Sequence, residues 1–140
     1  MTPEQVGRKY GFRSGLEDRI SQQLTKEGVP FDYEELTLAF IQPAKTRKYT
    51  PDFGVIKKNG EPMIIETKGI FALEDRKKMQ WVKEQYPDLD IRMVFSNSRA
   101  KISKGAKSSY ADWCNKNDYP YADKYVPQEW LDEIEKDDEK

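Results

Sequence analysis

Asp52, Glu66 and Lys68 are the residues of this 140-residue chain whose types and spacing could do chemistry together. Asp52 stands in Pro51-Asp52-Phe53-Gly54-Val55-Ile56, which reads as a strand, and Glu66 and Lys68 close a second one, Met63-Ile64-Ile65-Glu66-Thr67-Lys68. Between them lies Lys58-Asn59-Gly60, and Asn-Gly is a strong hairpin signal, so the two strands are expected to pair antiparallel. Side chains two apart on a strand share a face. Glu66 and Lys68 should therefore project together while Ile65 and Thr67 turn away. Carboxylate oxygens suit hard Mg²⁺ or Mn²⁺, with water, a backbone carbonyl such as that of Thr67, or a substrate phosphate in the remaining positions. Such an ion polarises a phosphate and lowers the pKa of a bound water. An ammonium beside it stabilises charge gathering on pentavalent phosphorus, or helps orient the attacking hydroxide.

An isolated Glu-Thr-Lys is more simply a cross-strand ion pair on a solvated sheet face. Its surroundings argue otherwise. Met63, Ile64 and Ile65 run without interruption into Glu66, so both faces of the strand begin apolar, as in a buried central strand. Charge at the end of such a strand is costly unless it is paired or bound to metal.

Elimination narrows the chemistry further. The chain has no histidine, which excludes Ser-His and Cys-His catalysis, a histidine base and histidine-containing zinc sites. Cys114 is the sole cysteine, so it forms no internal disulfide or thiolate cluster and reads as a buried, inert thiol in a reducing compartment. No apolar run approaches a membrane span, and a soluble, cytoplasmic protein without a membrane partner is expected. The net charge of −1 hides an asymmetry: residues 129–140 hold seven acids and two bases, whereas residues 1–128 carry 22 Lys and Arg against 18 Asp and Glu. An acidic tail following a basic body can solvate or shield a basic surface.

The elements that must hold the trio follow from periodicity. Leu16, Ile20 and Leu24 recur at four-residue steps, giving a helix over 14–27 that Gly28 and Pro30 stop. Residues 31–41 read as one strand, 72–85 as a helix closed by Pro87, 91–95 as a short buried strand, and 109–115 as a short helix. Pro127 opens a last helix that dissolves into the acidic tail. A single domain spanning 1–140 is expected, with residues 1–11 flexible and 132–140 forming the tail.

Pro51-Asp52 followed by Glu66-Thr67-Lys68 resembles the PD-(D/E)xK nuclease signature. Phe12-Arg13-Ser14-Gly15-Leu16-Glu17-Asp18, Tyr49-Thr50-Pro51-Asp52-Phe53, Glu66-Thr67-Lys68-Gly69, Asp75-Arg76-Lys77-Lys78, Asp90-Ile91-Arg92 with Val94-Phe95-Ser96, and Ala122-Asp123-Lys124 follow the order and approximate spacing of the phage endonuclease I family. This resemblance, over roughly residues 10–130, implies an α/β fold with a mixed central β-sheet flanked by helices. It further implies a homodimer with exchanged segments, and a Mg²⁺-dependent endonuclease, served also by Mn²⁺, that resolves four-way (Holliday) junctions and other branched DNA. The catalytic residues implied are Glu17, Asp52, Glu66 and Lys68, each site drawing Glu17 from the partner chain; the metal ligands are Asp52, Glu66, Thr67 and Glu17. The place of action implied is the cytoplasm of an infected bacterial host. Ser14 to Glu17 also has the Ser-x-x-Glu form of a capping box, and the two roles compete for the same oxygens.

Basic side chains are grouped so that they could track phosphates: Arg13, then Lys45, Arg47 and Lys48, then Arg76 and Lys77 beside Lys78, then Arg99, Lys101, Lys104 and Lys107. Trp81, Trp113 and Trp130 have amphipathic flanks and read as core. Residues 42–50 read as an extended bridge between exchanged subunits, or as an ordinary basic loop. A catalytically inactive branched-DNA-binding protein, with Glu66 and Lys68 as a plain ion pair, is the alternative to the nuclease; restriction of linear duplex would use the same residues.

Overall fold

The computed structural model describes residues 15–42 and 45–137, without the side chains of residues 41, 42 and 45–47. Its elements in chain order are α1 (Gly15–Lys26), β1 (Asp32–Tyr33), β2 (Leu38–Gln42), β3 (Lys45–Tyr49), β4 (Phe53–Ile56), β5 (Pro62–Lys68), α2 (Leu73–Gln85), β6 (Asp90–Phe95), α3 (Tyr110–Lys116), β7 (Tyr121–Asp123) and α4 (Gln128–Glu133). Five strands form one mixed sheet in the order β1-β4-β5-β6-β7. β1, β4 and β5 pair antiparallel, whereas β5, β6 and β7 run parallel.

β5 sits in the centre, and its alternation divides the core. Met63 and Ile65 face α1 and α4, packing with Leu16, Ile20, Leu24, Trp130 and Leu131. Ile64 faces the other way, with Met79 and Val82 of α2 and with Trp113 and Cys114 of α3. Both faces are therefore covered, as the unbroken apolar run of β5 requires. α1 ends where its sequence says it should: Gly28 takes φ 71°. Its N–H donates to the Thr25 carbonyl and the Val29 N–H to that of Leu24, a Schellman closure with Val29 packed against Leu24.

Two expectations need correction. Residues 31–41 are not one strand, because the Asp32 carboxylate accepts from the N–H groups of Glu35 and Leu36 and holds the chain in a turn. Glu34 enters that turn at φ 55°. The supposed bridge at 42–50 does fold back on its own chain: β3 pairs with β2 from Leu38↔Tyr49 to Gln42↔Lys45. The β4–β5 hairpin is as expected in pairing. Its turn, however, closes with the Gly60 N–H on the Lys57 carbonyl, and Gly60 rather than Asn59 takes the positive φ.

The last helix ends at Glu133, and the chain beyond it stays docked as far as Asp137. Ile134 is fully buried, the Glu135 N–H donates to the Ile56 carbonyl, and the Asp137 N–H donates to that of Gly28. Arg92 clamps this end: its guanidinium forms paired hydrogen bonds to Asp90 and to Glu133, and it lies over the Trp130 ring.

Candidate active site

The acidic and basic groups gather where β4 begins and β5 ends. Antiparallel register puts Phe53 opposite Ile65, so Asp52 is delivered beside the end of β5 by hairpin geometry alone. Its backbone N–H donates to Glu66 Oε2 at 2.9 Å. Its carboxylate accepts from both the N–H and the hydroxyl of Thr67, each at 2.9 Å. Lys68 Nζ lies 3.8 Å from Glu66 Oε1 on the same face, as period-2 alternation requires, and 3.9 Å from Asp75 Oδ1 of α2.

Burial makes this cluster electrostatically uneasy. Glu66 is 3% exposed. Desolvation first, and then the negative Asp52, push its carboxyl up to about 7, against the opposing pull of Lys68 and of the Asp52 N–H. The phenol of Tyr49, buried beside Glu66, is also raised, by burial and then by that carboxylate. Among the described residues its hydroxyl has no hydrogen-bond partner.

α1 and the turn after β1 bring a second set of acids, Glu17 and Glu34. Glu17, in the first turn of α1, is 7% exposed and accepts a 2.7 Å hydrogen bond from the Tyr33 hydroxyl. Burial and this contact hold the Tyr33 phenol well above its ordinary value. One carboxylate oxygen from each of Glu17, Glu34 and Asp52 lies within 4.8 Å of the others. Three carboxylates so close repel one another unless a cation sits among them, and an all-oxygen set is what Mg²⁺ or Mn²⁺ takes. The residues present fit a hard divalent ion.

Asp52 thus joins two half-sites, Glu66 with Lys68 on one side and Glu17 with Glu34 on the other. All of Glu17, Asp52, Glu66, Thr67 and Lys68 come together within this single chain. Glu34 was not anticipated from the sequence. Its only signal there is an acid-rich interruption, Asp32-Tyr33-Glu34-Glu35, in an otherwise apolar stretch. What aims it, a left-handed backbone and an N–H donated to the Asp52 carbonyl, is invisible in a linear pattern. The capping partner Ser14 lies outside the described residues.

The basic residues divide. Lys48, Lys77, Arg99, Lys101, Lys104 and Lys107 are exposed, and Lys101 Nζ donates to the Lys107 carbonyl. Arg13 and the side chains of Lys45 and Arg47 lie outside the described set. Arg76 is a correction: it is 7% exposed, and its guanidinium donates to the carbonyls of Phe71 and Ile102, so it ties loops together instead of meeting phosphate. Trp113 and Trp130 are core as expected, but Trp81 is only half-buried and lines an open cavity. Cys114 is buried, and burial raises its thiol to about 12, leaving it inert.

The phage endonuclease I family matches residues 2–139. The chain belongs to that family. It is 47% identical to Endonuclease I of Escherichia phage T7 over 131 residues, covering 93% of this chain and 85% of the relative. It is 46% identical to Endodeoxyribonuclease 1 of Enterobacteria phage T3 over 126 residues, covering 90% and 80%. Within the phage endonuclease I framework, the convergence of acids and lysine at one end of the sheet gains a chemical context.

Proposed function

We propose that this member of the phage endonuclease I family is a DNA endonuclease that hydrolyses phosphodiesters in branched DNA, foremost four-way junctions, with Mg²⁺ as cofactor and Mn²⁺ able to replace it. The observation that carries the reading is the meeting of Asp52, Glu66 and Lys68 at the end of β5, with Glu17 and Glu34 across from them. Family membership and the printed names of the phage T7 and T3 relatives support it.

Asp52, Glu66, Glu17 and the Thr67 carbonyl are the proposed metal ligands, and Glu34 joins them on geometry. A bound divalent ion would supply charge neutralisation for a phosphate and acidify a coordinated water. The chain's own groups do the rest. Thr67 fixes the Asp52 carboxylate through two donors, and Tyr33 fixes Glu17 through one. The Lys68 ammonium, held between Glu66 and Asp75, faces the charge that develops on phosphorus in the transition state. The exposed lysines and Arg99 contact the DNA backbone, so affinity depends on salt and on branch shape more than on sequence.

The working unit is a homodimer in which α1 passes between subunits. It acts in the cytoplasm of an infected bacterium; among the described residues no helix is long and apolar enough to cross a membrane. Incubating the protein with a labelled four-way junction tests the reading. Nicking with Mg²⁺ and none in EDTA is expected, with Glu66→Ala or Lys68→Ala lowering cutting by roughly a hundred-fold or more but leaving junction binding in EDTA intact. Cutting that persists undiminished in either variant would remove the mechanism. Binding without cutting in Mg²⁺ would make the protein an inactive branched-DNA binder.

A further inference from the structure

A cavity of about 490 Å³ lies between the β2–β3 hairpin and α2, lined by Phe40 and Trp81 and by Lys48, Lys77 and Lys78. Glu74 and Asp75 complete its wall. On α2 the residues 74, 77, 78 and 81 fall on one stripe at three- and four-residue steps, so the helix presents an acid, two ammonium groups and an indole to the same space. Asp75 is shared with the active site through its 3.9 Å pair with Lys68. Tyr49 is buried between the two: its ring lies under Lys78, a residue of the cavity wall, and its hydroxyl is beside Glu66. Asp75 thus links the cavity wall to the catalytic ammonium.

We propose that this cavity binds one unpaired nucleotide of the DNA strand next to the scissile phosphate, its base stacked on Trp81. The proposal rests on the nuclease reading above. Trp81 is the only one of the three tryptophans that is not buried, and it is left open where aromatic surface faces a void large enough for a small ligand. Three lysines match a nucleotide's phosphates. The two carboxylates accept hydrogen bonds from the exocyclic amine of a base, as acidic side chains do from cytosine. A fully paired strand keeps its bases stacked inward and cannot enter. The cavity would thus reward substrates with an unpaired nucleotide at the branch, such as flaps, over perfect duplex.

The test is a binding measurement in EDTA, where nothing is cut. Two labelled DNAs are compared, a fully paired duplex and the same duplex carrying a single-stranded flap, using the wild type, Trp81→Leu and Trp81→Phe, with melting temperatures to verify folding. Stacking of this kind predicts that Trp81→Leu lowers the flap-to-duplex affinity ratio about ten-fold, and that Trp81→Phe restores most of it. Flap binding should also quench tryptophan fluorescence in the wild type and not in Trp81→Leu. An unchanged affinity ratio in folded Trp81→Leu would overturn the proposal while leaving the nuclease reading intact. Failure of the wild type to bind or cut any branched DNA would bring down both.

Discussion

Replacing Glu66 by glutamine should stabilise the metal-free protein above neutral pH while abolishing its proposed activity. In the folded chain burial lifts the Glu66 carboxyl from an ordinary 4.5 to about 7. A carboxyl raised in this way favours folding only while protonated. It imposes no penalty below pH 4.5, where folded and unfolded chains both hold the proton, and a growing penalty as pH rises through 7. The gap corresponds to about 3 kcal/mol at pH 8. For a domain of this size that is roughly a 10 °C change in melting temperature. Glutamine keeps an oxygen for the Asp52 N–H and carries no charge, and Lys68 retains Asp75 as a partner. Melting temperatures of wild type and Glu66→Gln, measured in EDTA from pH 4 to pH 8, should therefore coincide at the acid end and diverge upward. Excess Mg²⁺ should close the gap by stabilising the wild type, since a ligand that binds only the folded state adds to its stability. Parallel pH curves, or a glutamine variant less stable at pH 8, would refute the claim that Glu66 is a strained, cation-seeking group.

Other outcomes follow from the same geometry. Lys68→Ala should slow single-turnover cutting of a four-way junction by roughly 10²–10³-fold, the usual loss when one preorganised charge-stabilising group is removed. Tyr33→Phe deletes the 2.7 Å hydrogen bond that aims Glu17, and should raise the Mg²⁺ concentration for half-maximal cutting by roughly ten-fold, read by metal titration with the saturated rate compared separately. Arg92→Ala removes the paired hydrogen bonds to Asp90 and Glu133 and should lower stability by about 2–3 kcal/mol in denaturant titrations; that is below the full loss for a buried pair because Asp90 keeps its 2.9 Å pair with Lys57 and the Glu133 side chain is 45% exposed. Burial opposes ionisation of Asp90, but hydrogen bonds from Arg92 and Lys57 outweigh it and hold the carboxyl below 3.8, so the contribution of this clamp is present above that pH and fades as the pH falls below it.

Local pattern made much of this protein legible. The four-residue recurrence of Leu16, Ile20 and Leu24 dictates α1, and Gly28 ends it because glycine accepts the left-handed turn without strain. Asn59 and Gly60 between two apolar runs dictate the β4–β5 hairpin. Once that hairpin exists, period-2 alternation obliges Glu66 and Lys68 to share a face next to Asp52. These are short-range consequences of chirality, sterics and spacing, so a linear reading reaches them.

Long-range packing decided the remainder. Whether residues 31–41 continue as a strand depends on the Asp32 carboxylate capturing two N–H groups downstream, and that turn is what brings Glu34 to the acids. Arg76 and Lys77 are neighbours in one basic run, yet α2 buries the first among carbonyls and exposes the second, a distinction set by which side of the helix meets the sheet. Trp81 and Trp113 look alike in sequence, and only the position of the β2–β3 hairpin leaves the former facing a cavity. The order of residues thus determined which groups could react and which strands would carry them. The tertiary structure alone determined their desolvation and the partners facing them, because both depend on elements distant in the chain arriving at the same point in space.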